Sequence, residues 1–258
     1  MAKYLNDFRI HESIRLTTKY QLLHLAAPDE CNLELITPGQ FVQIKVDNDP
    51  NGTFLRRPIS VHDVDLKNRI LSILVCRAGD GTNAICDTPV GSKLNLMWPL
   101  GNGFVIPSQP GESTLLVGGG VGVAPLLFLG KQLKDSGFNP EFLLAARSEK
   151  DLLQIESFAK YGPVYISTDD GSAGEKGLVT TNSTLQLKRD HIYCCGPMPM
   201  MKAIARLCAE RDIDCQVSLE NVMACGIGAC LCCVEKTVKG NRCVCTEGPV
   251  FNIKELTW

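Results

Sequence analysis

Six of the chain's thirteen cysteines fall between residues 225 and 245, in the run Cys225-Gly-Ile-Gly-Ala-Cys230-Leu-Cys232-Cys233 and the later Cys243-Val-Cys245. No other feature constrains the chain as strongly, because thiolates spaced Cys-x4-Cys-x2-Cys wrap one compact inorganic core, and that spacing is the one that binds a [2Fe–2S] cluster. Two irons bridged by two sulfides need four converging thiolates. Cys225, Cys230 and Cys233 supply three. Gly226 and Gly228 let backbone amides approach the sulfides, and such contacts help to set a reduction potential. The fourth ligand comes from farther along, where Cys243 and Cys245 are the two choices. A structural zinc site also takes four thiolates. It favours paired Cys-x2-Cys knuckles, however, and this run offers only one clear pair. Cys232 reads as a bystander.

The surroundings of that run fit a reduced, cytoplasmic protein. Met1 to Ile14 carries charges throughout and lacks the apolar core of a signal peptide. Leu115 to Leu129, the most apolar stretch, is too short and glycine-rich to span a bilayer. Where thiols stay reduced, a cysteine cluster is metal-binding or catalytic more often than disulfide-forming. The formal net charge of −2 gives no reason to expect nucleic acid or a membrane as partner. With 258 residues the chain has room for two domains and a small appendage.

Three segments are expected: a β-rich domain over 1–106, an α/β domain over 107–213 and a cysteine-rich module over 214–258. Phe41 to Val46 alternates apolar and polar residues as a half-buried strand does, and Ile70 to Val75 is a second β-prone run. Pro38-Gly39, Asp47 to Gly52 and Gly79 to Gly81 carry turn chemistry. Short strands punctuated this way point to a barrel or sandwich. From Thr114 strands alternate with helices: strands at Thr114–Val117, Glu141–Ala146, Val164–Ser167 and His191–Cys194, helices near Ala124–Lys134, Lys150–Lys160 and Pro199–Arg211. That order implies a parallel sheet covered on both faces. After Asp214 the regular pattern fades.

Three motifs upstream of the cysteines carry chemistry. In Arg56-Arg57-Pro58-Ile59-Ser60 an arginine fork suits a flavin diphosphate and a hydroxyl can reach the ring, although an arginine beside a turn is the ordinary account. Gly79-Asp-Gly81-Thr82 adds small-residue backbone contacts for the same diphosphate. Gly118-Gly119-Gly120-Val121-Gly122-Val-Ala-Pro125 runs from a strand into a helix, the context in which glycine loops and free helix amides receive phosphates. It departs from Gly-x-Gly-x-x-Gly, which argues against a simple dehydrogenase of that fingerprint. Cys195-Gly196-Pro197-Met198 also links a strand to a helix, where proline commonly starts the helix. No Gly-x-Ser-x-Gly, His-Glu-x-x-His or Walker loop is present, so hydrolysis and phosphoryl transfer find no support.

In that order, Arg57 to Ser60, Gly118 to Leu126 and Cys195 to Met198 resemble the ferredoxin–NADP reductase superfamily, which joins an FAD-binding β-barrel to a nicotinamide-binding α/β domain. The tail from Met223 to Val234, with Cys245-Thr-Glu-Gly-Pro-Val-Phe251, is similar to the electron-transfer subunits of NAD-dependent (B-type) dihydroorotate dehydrogenases. The resemblance covers essentially the whole chain. It implies that Arg57, Pro58, Ile59 and Ser60 bind FAD, Arg57 at the diphosphate and Ser60 near the flavin N5, with Leu74, Val75, Cys76, Gly81 and Thr82 lining the rest. It implies that Gly118 to Gly122, Pro125 and Cys195 to Met198 receive NAD. Glu220 is expected near the flavin on its neighbourhood alone, just before the cluster loop. The acidic-Gly-Pro-Val-Phe stretch following the fourth cluster cysteine picks Cys245 over Cys243. The extra Cys232 and Cys243 depart from the family pattern.

The implied activity is electron transfer in pyrimidine biosynthesis. An FMN-containing catalytic subunit oxidises dihydroorotate, and electrons pass through [2Fe–2S] and FAD to NAD⁺, in a heterotetramer of two copies of each subunit. This chain needs no acid–base residue for dihydroorotate, and none is evident. Related subunits serve NADPH–ferredoxin transhydrogenases, sulfide dehydrogenases and hydrogenases, which keep the cofactors and change the partner.

Overall fold

The computed structural model describes residues 2–47 and 52–258, so most of the turn expected over Asp47 to Gly52 lies outside the described residues. The chain divides into two compact units. The first comprises Met1–Gly103, Asn221–Glu235 and Arg242–Pro249; the second comprises Phe104–Glu220, Lys236–Asn241 and Val250–Trp258.

In the first unit, strands β1 (Tyr4–Arg15), β2 (Tyr20–Ala26), β3 (Phe41–Ile44), β4 (Arg57–Asp65), β5 (Ile70–Cys76) and β6 (Lys93–Leu100) close a barrel in the order β1-β2-β5-β4-β3-β6. Closure removes the unpaired edges that an open sheet would expose. Alternate residues point inward: Phe8 and Ile10 on β1, Val42 and Ile44 on β3, Leu71, Ile73 and Val75 on β5, Leu94, Leu96 and Trp98 on β6, all nearly or fully buried. The opposite face of a barrel strand normally meets water, and β1 follows that rule. β3 does not. Phe41 and Gln43, on the face opposite Val42 and Ile44, are equally buried. Helix α1 (Asp80–Asp87) follows β5 over a segment that reads in sequence as a turn.

The second unit is built on a seven-stranded sheet. Its strands are β7 (Thr114–Gly119), β8 (Pro140–Ala146), β9 (Val164–Thr168), β10 (Glu175–Lys176), β11 (His191–Cys195), β12 (Asp214–Ser218) and, after the hairpin β13 (Val234–Thr237) and β14 (Gly240–Cys243), β15 (Val250–Asn252). The order is β10-β9-β8-β7-β11-β12-β15, parallel throughout except for β15. Helices α2 (Ala124–Asp135), α3 (Ile155–Ala159) and α4 (Met198–Glu210) connect the strands. β7 is buried at every position, as a central parallel strand covered on both faces should be. Gly130 on α2 meets the Phe142 ring so closely that a Cβ would lie 2.4 Å from its Cζ, which fixes how near α2 sits to β8.

Two expectations change here. The helix expected over residues 150–160 is one turn of 3₁₀ helix, Glu149–Asp151, followed by the short α3. Gln154 separates them at φ +58°, a left-handed conformation that no helix interior admits. The segment after Asp214 is not irregular throughout, because β12 and β15 extend the sheet.

A buried ion pair ties β8 to the loop before β11. Arg189, 4% exposed, forks onto Glu141 through Nη1–Oε1 and Nη2–Oε2, the latter at 2.9 Å. The guanidinium hydrogen bonds hold the Glu141 carboxyl below the ordinary carboxylate range, against the upward pull of burial. A carboxylate depressed on folding contributes stability that is full above its unfolded value and is lost as pH falls through the folded one. Urea unfolding followed across the acid range should therefore show a loss of stability on acidification. Arg189→Met should flatten that part of the profile and cost about 3 kcal/mol at neutral pH, the scale of breaking a buried pair.

Candidate functional site

The cysteine run folds into a tight loop, followed after the β13–β14 hairpin by the short α5 (Val244–Glu247). Gly226 and Gly228 sit at φ +70° and +83°, and Leu231 at +58°, so the chain turns back repeatedly in a few residues. The result gathers thiols in two couples. At Cys225, burial pushes the thiol up. The backbone N–H groups of Ile227, Cys230 and Ala229, with the Cys230 thiol, outweigh that and hold it well below its ordinary value, at about 6. The Ile227 and Cys230 amides lie 3.4 Å from its Sγ. The second couple is Cys233 with Cys245. Both are buried, the Cys245 N–H donates to Cys233 Sγ at 3.4 Å, and the two thiols are within hydrogen-bonding reach. Desolvation first, then Cys233, raise the Cys245 thiol, while the Gly228 N–H favours its thiolate.

The donor chemistry fits a two-iron core. Each iron of a [2Fe–2S] cluster takes two thiolates, and amides aimed at sulfur stabilise the negative charge that ligands and sulfides share. The remaining two cysteines are engaged differently. Cys232 is exposed, with its thiol on the Val222 carbonyl at 3.7 Å. Cys243 precedes α5, and its N–H donates to the Glu247 carboxylate at 2.9 Å.

In the barrel unit, the two adjacent arginines part company. Arg56 is tied to the barrel, donating to the Gln43 and Asn95 carbonyls at 3.1 and 3.0 Å and to the Asn95 side chain. Arg57 instead lies against the first turn of α1: a Cβ on Gly81 would stand 2.6 Å from its Nε. Thr82 closes the same turn, its Oγ1 accepting from the Ala78 and Gly79 amides at 2.9 and 3.2 Å. A guanidinium beside a glycine-opened helix start is a cradle for a diphosphate. Pro58, Ile59 and Ser60 continue from Arg57 along β4. Leu74 and Val75 are buried on β5, and Cys76 is half-buried at its end.

In the α/β unit, the two glycine segments come together. Gly118 and Cys195 are register partners at the ends of β7 and β11. A Cβ on Gly122 would lie 2.5 Å from the Cys195 carbonyl and the Gly196 backbone, and one on Gly119 would lie 2.6 Å from Met200 Sδ. No side chain fits between them. The strand order reverses direction between β7 and β11, and such a switch point at the carboxyl ends of parallel strands is where nucleotides bind. Gly120 and Val121 belong to the 3₁₀ turn leading to α2, Pro125 lies in the first turn of α2, and Pro197 and Met198 start α4. Glu220 lies at the same end of the sheet, its carboxylate accepting from Cys195 Sγ at 3.9 Å. Desolvation raises the Glu220 carboxyl, and burial raises the Cys195 thiol, so both groups are biased toward holding a proton.

Residues 220–257 match the family model described as the iron–sulfur cluster binding domain of dihydroorotate dehydrogenase B, and residues 116–206 match the oxidoreductase NAD-binding domain. The chain is 39% identical to the dihydroorotate dehydrogenase B (NAD(+)) electron transfer subunit of Bacillus velezensis, over 86% of this chain and 88% of that protein. It is 41% identical to the subunit of the same name from Fusobacterium nucleatum, over 84% and 86%. The chain belongs to the family of dihydroorotate dehydrogenase B electron transfer subunits. A structure of an NADH-dependent reduced ferredoxin–NADP oxidoreductase superposes with TM-score 0.86 at 29% identity, covering 97% of this chain and 90% of that one. A flavohemoglobin from Malassezia yamatoensis, 18% identical with TM-score 0.66 over 81% of this chain and 57% of that one, shares the fold.

The fold and cofactor set expected from the sequence agree with these matches: a barrel, an NAD-binding α/β domain and an iron–sulfur segment at the C-terminal end of an oxidoreductase subunit. No helix among the described residues is long and apolar enough to cross a membrane. Sequence reading of this electron transfer subunit missed Gln43, the one polar side chain of β3, because alternation assigns it to solvent.

Proposed function

We propose that this chain passes electrons from an FMN-containing dihydroorotate dehydrogenase catalytic subunit to NAD⁺, in a cytoplasmic assembly of two copies of each subunit. Cys225, Cys230, Cys233 and Cys245 hold the [2Fe–2S] cluster. Arg57 and the Gly79–Thr82 turn hold the FAD diphosphate, with Ser60 at the flavin. Gly118 to Gly122, Pro125 and Cys195 to Met198 receive NAD. The bound cofactors supply the conversion between one-electron transfer and the two-electron hydride that nicotinamide accepts. The chain's own residues bind and orient them. The paired thiols fix the cluster, the glycines allow backbone amides close to phosphate oxygens, and the Cys195–Glu220 contact sets the polarity beside the nicotinamide cradle.

The observation that carries this reading is the pairing of Cys225 with Cys230 and of Cys233 with Cys245, in a chain that also keeps both nucleotide cradles. Val222, Ile227 and Leu231, flanking Cys225 and Cys230 in sequence, leave apolar side chains in solvent at 79%, 45% and 63% exposure. A catalytic subunit docked there would reach the cluster directly. The likeness to the ferredoxin–NADP oxidoreductase structure favours a second reading, in which the same cofactors serve a different partner.

Reconstitution separates the two. Adding this holo chain to the FMN subunit should give NAD⁺-linked dihydroorotate oxidation, with little or none from either chain alone. Unchanged NAD⁺ reduction when this chain is omitted would refute the role.

A further inference from the structure

Gln43 is fully buried on the outer face of β3, and neither its Nε2 nor its Oε1 has a hydrogen-bond partner among the described residues. A buried amide left without partners is destabilising, so its position calls for a reason. The cluster loop supplies one. A Cβ on Gly226 would lie 2.8 Å from Gln43 Cγ and 2.9 Å from Nε2, so the amide is pressed against the residue that follows Cys225. Gln43 is also the register partner of Pro58 on β4, two residues from Ser60. A break in the β3–β6 register falls between Phe41 and Gln43. One side chain thus touches the cysteine loop from a strand whose neighbour carries the flavin motif, all within one compact unit.

We infer that Gln43 is a positioning residue for the iron–sulfur centre, its Nε2–H donating to the sulfur acceptor that the cluster brings against Gly226. A carboxamide offers two N–H donors without a charge, and a thiolate–sulfide core is an anion that lacks donors wherever backbone amides do not reach. The bond would strengthen as the cluster takes up an electron, so it favours the reduced state and raises the potential. Glycine at 226 is then required twice, for its positive φ and for the amide's approach.

The inference rests on the ligand assignment of the Cys225 loop, and the test separates the two. Gln43→Met keeps length and volume and removes the donor. With iron, sulfide and FAD content unchanged, redox titration of the holo chain should show the reduced-to-oxidised cluster ratio at a fixed ambient potential falling about tenfold, a shift of ~59 mV downward for one electron. A loaded cluster at the unshifted potential overturns the role of Gln43 and leaves the ligands untouched. A wild-type chain without iron and sulfide faults the cluster assignment instead. A measurement on the unsubstituted protein covers the case in which the variant does not fold. With glutamine side-chain amides labelled with ¹⁵N, pulsed EPR of the reduced cluster should reveal a coupled amide nitrogen. Its absence overturns the inference.

Discussion

Cys245→Ser should abolish the iron–sulfur signal, taking bound iron from two per chain toward none, while Cys232→Ser leaves it in place. The difference follows from where each thiol sits. Cys245 is fully buried, hydrogen-bonded through its N–H to Cys233 Sγ and approached by the Gly228 amide. A serine oxygen there is a shorter, harder and poorer ligand for iron than a thiolate. Cys232 stands in solvent with its thiol on a backbone carbonyl. Cys243 is the informative third variant. It stands close enough to Cys233 for their charges to interact, yet its backbone is committed to the Glu247 cap. Cys243→Ser should keep the cluster. Iron and sulfide assay with EPR of the reduced protein reads all three, and loss in Cys243→Ser with retention in Cys245→Ser would exchange their roles.

The second large effect is expected at Arg57. Arg57→Ala should weaken FAD retention roughly tenfold to a hundredfold, corresponding to hydrogen bonds to charged groups of about 1.5–3 kcal/mol. The barrel should remain folded, because among the described residues the Arg57 guanidinium donates only to the nearby Leu55 and Arg56 carbonyls. Arg56→Ala is the matched control with the opposite outcome. Its guanidinium joins β3 to β6 through Gln43 and Asn95, so its removal should lower barrel stability and leave FAD affinity in the surviving protein nearly unchanged. Flavin release on dilution, paired with urea unfolding, distinguishes the two.

Much of this architecture was legible from residue pattern, and the exceptions have physical causes. Strands β5, β7, β8 and β11 announce themselves as apolar runs because parallel or interior strands bury most of their side chains. β1 gives no such signal: it buries only Phe8 and Ile10 fully among twelve residues and carries charges on its wet face. α1 was hidden by Gly79 and Gly81, which read as a turn. They open a helix whose first turn is capped by Thr82 and leaned on by Arg57. The helix expected near Lys150 failed at Gln154, whose left-handed backbone nothing in its residue type announces.

At the site, the cysteine spacing singles out three candidate ligands. The choice between Cys243 and Cys245 needed a resemblance, since two cysteines separated by one residue satisfy spacing equally. Their different burial becomes visible only once α5 folds. Gln43 was the least legible of all. A polar residue in an alternating strand reads as solvent-facing, and only the cysteine loop, distant in sequence, lays Gly226 over it.

A chain that links a [2Fe–2S] cluster, FAD and NAD should pass electrons from one to the next. The most direct test reduces the holo chain fully under anaerobic conditions, removes the reductant and adds NAD⁺. Reduced FAD holds two electrons and the cluster one, so the expected yield exceeds one NADH per chain and approaches about 1.5, with the return of oxidised flavin absorbance and a fall in the cluster's EPR signal. NADH formation with the cluster signal unchanged, or no NADH at all from a chain that retains both cofactors, would contradict that transfer.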